Sequence, residues 1–203
     1  MSDSKISFHV LTFNKLSYLK NLINSFNECN LNKNYEFIIA DYGSTDGTRE
    51  YIKKISKKNE KFIPMFGNRL EYFRTLEDKG LNLKKFQIQK YAMTHKYRSD
   101  VLNIVTGQYC FDLGERHQFI RQFKNFDEII SDYQYIEKNY KLKVGGFNVR
   151  SPSLYSIYKK NNSYSHIVTT KNNTYYICDK KGYDDFFFWN KQTYDKFGDF
   201  KYQ

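Results

Sequence analysis

Cysteine, proline and long apolar runs are scarce in this chain, which has 3 cysteines and 2 prolines among 203 residues. The cysteines are odd in number, far apart and without a Cys-x-x-Cys pair, which argues against a disulfide framework and a structural zinc site. The apolar runs span only a few residues, and residues 1–20 lack the cationic start and apolar core of a signal peptide. We therefore expect a soluble, cytoplasmic protein.

Acidic residues are also few: the chain has 22 Asp and Glu and 33 Lys and Arg, which gives a formal net charge of +11. A basic surface of this kind suits nucleic acid, an anionic membrane surface or a phosphorylated ligand. The same composition, crowded with Lys, Asn, Tyr, Phe and Ile, is also typical of an AT-rich coding sequence. The charge by itself does not choose among these explanations.

The apolar periodicity predicts alternating strands and helices in the first part of the chain. Strands are expected at 6–13 and 35–40, and amphipathic helices at 15–27, with Asn14 as the cap, and at 49–57. Two strand-helix units in succession favour a parallel sheet, because a crossover helix returns the chain to the same edge. The length suits one domain over residues 1–203.

The rest of the chain is predicted less regularly. The expected elements are a strand at 61–66, a charged loop at 67–82, a helix at 83–96, strands at 101–105 and 109–113, a helix at 118–139, short Tyr-rich strands at 144–149, 154–158, 164–170 and 174–178, and a helix at 189–197.

The stretch from Phe37 to Ile52 carries the strongest functional pattern, because a buried strand ends in Asp41 and runs through a polar loop into a helix. The carboxyl end of such a strand is where an open α/β sheet binds nucleotides. A plainer interpretation is that Asp41 and Asp46 order a turn and cap a helix, with Phe13 in the core.

Three separated motifs together resemble family 2 glycosyltransferases of the GT-A fold. They are Val10-Leu11-Thr12-Phe13-Asn14-Lys15, the loop Asp41-Tyr42-Gly43-Ser44-Thr45-Asp46-Gly47-Thr48, and the segment 190–200 that ends in Phe197-Gly198-Asp199-Phe200. The resemblance implies a single α/β domain of the GT-A type, with a mostly parallel sheet flanked by helices and a small antiparallel region near the C-terminus. It also implies that a sugar passes from a nucleotide-diphosphate donor, a UDP-sugar, to a glycan or other hydroxyl acceptor with inversion.

The resemblance, together with the chemistry of base recognition, gives a set of candidate nucleotide-binding residues. Phe13 would offer a flat face for the base, and Asp41 would accept a hydrogen bond from the ring N–H of uracil. Tyr42 replaces a second acidic residue of the family motif and would stack or hydrogen-bond through its hydroxyl. The full set is Thr12, Phe13, Asn14, Asp41, Tyr42, Gly43 and Ser44.

The family places an Asp-x-Asp motif for Mn²⁺ or Mg²⁺ after the strand at 109–113, and here the sequence departs from it. Gly114 and Arg116 fall on the two motif positions. Glu115 and His117, with Asp112 nearby, would be the metal ligands, since carboxylate and imidazole suit Mn²⁺. Alternatively, Arg116 would bind the diphosphate in place of a metal, or the site would be inactive.

A catalytic base must take the proton of the acceptor hydroxyl, and Asp184 and Asp185 are the candidates. The family's usual base lies downstream of the Gly198 segment, so we expect that base to be absent or the sequence to be part of a longer protein. Two alternatives to an enzyme follow: a catalytically inactive nucleotide-sugar-binding protein, or a basic nucleic-acid-binding module, which is the less favoured.

Overall fold

A computed structural model describes most of the N-terminal part of the chain and several shorter stretches beyond it. The described residues are 5–29, 31, 34–80, 82, 86–114, 126–140, 146–148, 166–171, 174–177 and 187–191. The predicted strand at 154–158 lies outside them, as do Glu115, His117, Asp184, Asp185 and most of the segment 190–200.

The elements alternate between strand and helix up to the middle of the chain. In order they are β1 (Ile6–Thr12), α1 (Leu16–Glu28), β2 (Tyr35–Asp41), α2 (Thr48–Lys58), β3 (Phe62–Phe66), α3 (Arg69–Asp78), α4 (Phe86–Ile104), β4 (Tyr109–Gly114), α5 (Phe126–Tyr140), β5 (Gly146–Asn148), β6 (His166–Thr169), β7 (Thr174–Ile177) and β8 (Phe187–Asn190).

The described strands form a six-stranded sheet in the order β3-β2-β1-β4-β8-β5 and a separate two-stranded hairpin of β6 and β7. Strands β3, β2, β1 and β4 are parallel, whereas β8 pairs with both β4 and β5 in the antiparallel sense. Parallel strands end at the same edge of a sheet, so Thr12, Asp41 and Phe66 come into register there. This edge carries the predicted nucleotide loops. The predicted α/β architecture is confirmed.

The two faces of the sheet differ in chemistry. One face packs an aromatic cluster against α1, α2 and α5, with the rings of Phe8 and Phe111 stacked at 5.3 Å and those of Phe8 and Phe26 edge to face at 5.0 Å. The other face, which α3 and α4 cover, buries Ile38, Ala40 and Cys110 beside polar side chains. No helix in the described part of the chain has the length and apolar composition needed to cross a membrane.

Three predicted elements were wrong. Residues 67–82 are not a loop, because α3 begins at Arg69, where the Asn68 side chain accepts hydrogen bonds from the Leu70 and Glu71 backbones. The predicted strand at 101–105 is the end of α4, which buries Met93, Tyr97, Val101 and the following Val105 at four-residue spacing against the sheet. Residues 187–190 form β8 rather than entering the helix predicted from 189, since they pair with β4.

Candidate nucleotide site at the carboxyl edge of the sheet

The loops that follow β1 and β2 are tied to each other. The Asn14 backbone N–H donates to Ser44 Oγ at 2.8 Å, and the Thr45 backbone N–H donates to Asn14 Oδ1 at 2.8 Å. Asn14 adopts a φ of 50°, a left-handed conformation that asparagine tolerates better than most residues. Because Thr12 lies opposite Asp41 in the sheet, these bonds join two predicted binding segments into one surface.

Asp46 caps two helices at once. Its Oδ2 accepts from the Leu16 backbone N–H at 3.0 Å, and its Oδ1 accepts from the Thr48 backbone N–H at 3.1 Å. Desolvation raises the pKa of Asp46, but the hydrogen bonds from Thr48 and Leu16 outweigh it and leave the pKa below its usual value. The interpretation of Asp46 as a cap is confirmed. The prediction that Asn14 caps α1 was wrong, since Asp46 takes that role.

Asp41 is fully buried, and its carboxylate organises the loop. Oδ1 accepts from the Ser44 backbone N–H at 3.2 Å, and Oδ2 accepts from Arg49 Nε at 2.8 Å. The Arg49 guanidinium also donates to the Gly67 carbonyl at 2.9 Å, which ties the end of β2 to the end of β3. A direct contact between Asp41 and a base would require Arg49 or the loop to move.

Arg49 is a site residue that the motifs did not predict. The available indication was its place in the first turn of α2, eight positions after a buried aspartate, in a chain whose surface cations are mostly lysine. Arginine is better suited than lysine to a buried ion pair, because its planar guanidinium can donate hydrogen bonds to a carboxylate and to a carbonyl at the same time.

Tyr42 lies in the interior rather than at the surface, at 3% exposure. Its hydroxyl donates to the Asp100 carboxylate, which also pairs with Lys96. Burial, and then the bond to Asp100, raise the pKa of Tyr42 well above its usual value. A Cβ on Gly67 would come within 2.3 Å of the Tyr42 ring, so glycine is required there. The predicted stacking of Tyr42 on a base is not available in this arrangement.

Phe13 and its neighbours form the accessible part of the edge. The Arg69 guanidinium lies over the half-buried Phe13 ring, with its Cζ 4.2 Å from the ring centroid. The Thr12 hydroxyl is buried and has no hydrogen-bond partner among the described residues. Gly43 adopts a φ of 102°, which favours glycine, and a Cβ there would meet nothing within 4 Å. Open space therefore lies beside the β2 loop.

A cleft of about 390 Å³ lies beside these loops at the N-terminus of α1. Its lining residues are Asn14, Lys15, Leu16, Ser17, Tyr18, Lys20 and Asp46. Lys15 and Lys20 favour an anionic ligand in this position, while the Asp46 carboxylate already accepts from the first N–H of α1.

The side chain of Asp112 turns into the protein, towards α4. Its Oδ2 accepts from Arg98 Nη2 at 3.3 Å, and its Oδ1 lies 3.5 Å from His9 Nδ1. His9 Nδ1 also lies 2.6 Å from the Tyr97 hydroxyl. Burial, reinforced by the positive charge of Arg98, lowers the pKa of His9 to about 3. His9 is therefore neutral at neutral pH and is a hydrogen-bonded core histidine.

The described part of β4 does not assemble a metal site. Gly114, at the position of the first motif carboxylate, has no side chain to offer, and Asp112 is engaged by Arg98. Within the described residues there is no group of three or more His, Cys, Asp or Glu side chains that could hold a metal ion. Glu115 and His117, the other predicted ligands, lie outside the described residues, so their role stays a prediction. The described side chains alone do not fit a divalent cation.

Comparisons with known proteins give a family match for part of the chain and a similar fold. Residues 7–82 match the model of glycosyl transferase family 2. The mannosyltransferase PcManGT from Pyrobaculum calidifontis, solved with GDP-Man and Mn²⁺, is similar in structure, with a TM-score of 0.59 at 12% identity over 98% of this chain and 48% of that chain. TarS from S. aureus gives a TM-score of 0.48 at 14% identity over 92% of this chain and 47% of that chain. A search of curated proteins finds no match.

The parallel sheet, its crossover helices and its similarity to PcManGT define the GT-A glycosyltransferase fold. Residues 7–82 match the family model, so the predicted resemblance to glycosyl transferase family 2 is confirmed for that segment. The chain spans about half the length of the two solved structures.

Proposed function

We propose that this protein binds a nucleotide-diphosphate sugar at the carboxyl edge of β1 and β2 and transfers the sugar, with inversion, to a hydroxyl acceptor such as a glycan. The interlocked loops carry the proposal, since the bonds between Asn14 and Ser44–Thr45 lie inside the segment that matches the family. They hold the ends of β1 and β2 together, with the partly exposed Phe13 and Gly43 beside the buried Thr12 and Ser44. A nucleotide site needs an aromatic face, backbone donors and space between them.

The charges around the cleft support a diphosphate there. Lys15 and Lys20 line it, and α1 begins beside it at Leu16. The two lysines would stabilise a phosphate through direct ion pairing, and they outnumber the Asp46 carboxylate that caps α1 in the same cleft. The net charge of +11 would further attract an anionic donor, and it is compatible with peripheral association at an anionic membrane.

The proposal also specifies the sugar donor, the metal ligands and the catalytic base. We take UDP-sugars as the donor class, with GDP-sugars as the comparison because PcManGT was solved with GDP-Man. Asp184 or Asp185 would accept the proton of the acceptor hydroxyl. Glu115 and His117 would hold Mn²⁺ or Mg²⁺ and so bring positive charge to the diphosphate. The catalytic role of the described residues is to bind and orient the donor.

A second candidate is a nucleotide-sugar-binding protein without turnover. Gly114 favours it, because the strand end lacks the carboxylate expected there. Calorimetric titration of UDP, with and without Mn²⁺, and an assay of UDP release from UDP-sugars separate the two. We expect UDP binding and slow release of UDP by the intact protein.

Binding without any turnover would favour the second candidate, and absence of UDP and GDP binding would refute both. Retention of RNA or DNA at low salt that UDP displaces would instead support the nucleic-acid alternative. The matched control for the variant Asp41→Ala is Glu50→Ala, which removes an exposed carboxylate from α2 away from the loop contacts.

A further inference from the structure

Positive charge is concentrated on helix α2. Residues 48–61 carry six basic and two acidic side chains, whereas α3 carries two basic and three acidic ones. Four of the six basic side chains lie on α2 and are exposed, namely Lys53, Lys54, Lys57 and Lys58. A coding bias towards lysine would enrich all the helices alike, so it does not explain this concentration.

The spacing of these lysines is unfavourable for the helix itself. Lys53 and Lys57 are four residues apart, as are Lys54 and Lys58, so like charges are neighbours on the helix surface. The helix dipole stabilises Lys57 and Lys58 in the last turn, but not the two lysines one turn earlier. Among the described residues no ion pair joins any of the four to Glu50 or to another carboxylate. An anionic partner would relieve this repulsion.

An exposed aromatic ring lies on the same side of the sheet as α2. Phe66 ends β3, the edge strand, and is 40% exposed. Lys53 Nζ lies 5.7 Å from the centroid of its ring. Phe66 shares a face of β3 with the buried Phe62, which packs in the same cluster as Ile52 of α2. An apolar ring beside lysines suits the boundary between lipid head groups and acyl chains, where the ring inserts and the ammonium groups meet phosphate.

The chemistry of this surface favours a lipid bilayer over a nucleic acid. Single-stranded nucleic acid is bound in grooves that offer several stacking rings, whereas Phe66 is the one large hydrophobic side chain exposed on α2 and β3. The cations are lysines, whose compact charge suits general attraction to anionic head groups, while arginine suits directional contacts with phosphates and bases.

We propose that the α2–β3 surface, formed by Lys53, Lys54, Lys57, Lys58 and Phe66, docks the protein on an anionic phospholipid bilayer. The lysines supply the electrostatic attraction, and the phenyl ring is the apolar anchor. These side chains lie outside the proposed nucleotide site, so the docking surface does not rest on the proposed function. Because the ring lies at the carboxyl end of β3, docking holds that edge of the sheet at the membrane.

The test is sedimentation of the intact protein with vesicles of phosphatidylcholine alone, or of phosphatidylcholine and phosphatidylglycerol in equal parts. We expect binding to the mixed vesicles only. Raising the salt from about 0.1 M to about 1 M should release the protein, because the screening length falls from about 10 Å to about 3 Å.

Local charge is tested by the double variant Lys53→Gln with Lys54→Gln. It should weaken binding to mixed vesicles about 25-fold, which is about fivefold for each lysine. The matched control is Arg74→Gln with Lys79→Gln, which removes the same charge from exposed positions on α3 and at its C-cap. Helix α3 covers the opposite face of the sheet, so the control should change the affinity by less than about twofold.

Insertion of the ring is tested by Phe66→Trp. On mixed vesicles the emission of the added indole should shift to shorter wavelength, and brominated acyl chains should quench it. The wild-type protein, whose tryptophan is Trp189, gives the background emission. If this variant does not fold by circular dichroism, the lysine variants decide, since glutamine at exposed helix positions keeps the helix propensity.

Four results would overturn the proposal. The first is no binding of the wild-type protein to mixed vesicles at low salt, and the second is equal weakening by the two double variants, which would assign binding to net charge alone. The third is a folded Phe66→Trp variant whose emission brominated lipid leaves unchanged. The fourth is RNA binding that Lys53→Gln with Lys54→Gln weakens while vesicle binding stays the same, which would assign the surface to nucleic acid.

Discussion

The carboxyl edge of the sheet behaves differently at β1 and β2 than at β4. At β1 and β2 the loops are interlocked, Asp46 caps two helices, and Asp41 is paired with Arg49. At the end of β4, Gly114 provides no side chain, and the nearest described carboxylate, Asp112, is turned inward to Arg98.

Under the proposed function, this contrast would separate donor binding from charge neutralisation at the leaving group. The β1–β2 edge has the contacts on which the proposed nucleotide pocket depends, whereas the described part of β4 lacks a set of carboxylates that would hold a cation. The two tasks depend on different strands, so one can change while the other is kept. The predictions below test this separation, from the largest expected effect to the smallest.

Asp41→Ala should have the largest effect. It leaves the half-buried Arg49 without its carboxylate and the Ser44 backbone N–H without its acceptor. We expect a loss of about 3 kcal/mol in the free energy of unfolding, as for other broken buried pairs, together with loss of UDP binding. Urea denaturation and calorimetry measure the two effects. Unchanged stability and affinity would show that the loop does not depend on this carboxylate.

Asp112→Ala should destabilise the protein without affecting the nucleotide. Arg98 loses this carboxylate but is 19% exposed and can reach water, so we expect a loss of about 2 kcal/mol in the free energy of unfolding. UDP affinity should stay at the wild-type value. A clear fall in UDP affinity in a folded variant would break the comparison, because it would connect β4 to the donor pocket.

The buried His9 predicts a pH dependence of stability. Its pKa falls from 6.5 to about 3 on folding, so the folded protein keeps the ring neutral while the unfolded chain takes up a proton below pH 6.5. Stability is therefore complete above that pH and is lost progressively as the pH falls towards 3. Between about pH 7.5 and about pH 5.5 we expect a loss of about 1.4 kcal/mol from this residue.

Urea denaturation of wild type and His9→Gln at both pH values isolates that contribution. The variant should show a smaller loss, because glutamine does not titrate and can still bond the Tyr97 hydroxyl. Equal losses in the two proteins would mean that other groups carry the acid sensitivity.

Asp46→Ala should have the smallest effect. It removes the side-chain acceptor for the first N–H groups of α1 and α2, and a lost cap costs about 1 kcal/mol. Thermal unfolding measures the change, and Asp46→Asn should restore most of it because the amide oxygen still accepts. A loss of UDP binding far beyond the loss of stability would place Asp46 in direct contact with the ligand.

The sequence predicted the elements with strong periodicity well. β1, α1, β2 and α2 lie within two residues of their expected bounds, because their buried positions recur regularly and punctuating residues flank them. The prediction was wrong for residues 101–105. The β-branched residues there suggested a strand, but Val101 and Val105 continue the four-residue spacing of Met93 and Tyr97, which also fits a helix. It failed again at β8, because pairing with β4 decides the conformation there.

The candidate site was predicted in its position but only partly in its contacts. The loop after β2, the neighbouring Phe13 and the capping role of Asp46 were all readable from motifs. Arg49 and Arg69 were not singled out, because their roles depend on the approach of β3 and α3 to the β2 loop. Tyr42 was expected to stack on a base or to bond it through the hydroxyl, and its burial follows from a contact with α4 that no local pattern encodes.

By itself the sequence determined the strand-helix alternation at the start of the chain, the family resemblance and the polar loop between β2 and α2, since these depend on local periodicity and on motif residues. Only the tertiary structure decided which charges meet. It placed Arg49 on Asp41, Arg98 on Asp112 and Arg69 on Phe13, in each case joining residues from different elements. Long-range pairing of this kind depends on how helices dock on the sheet, which side-chain spacing along one segment does not specify.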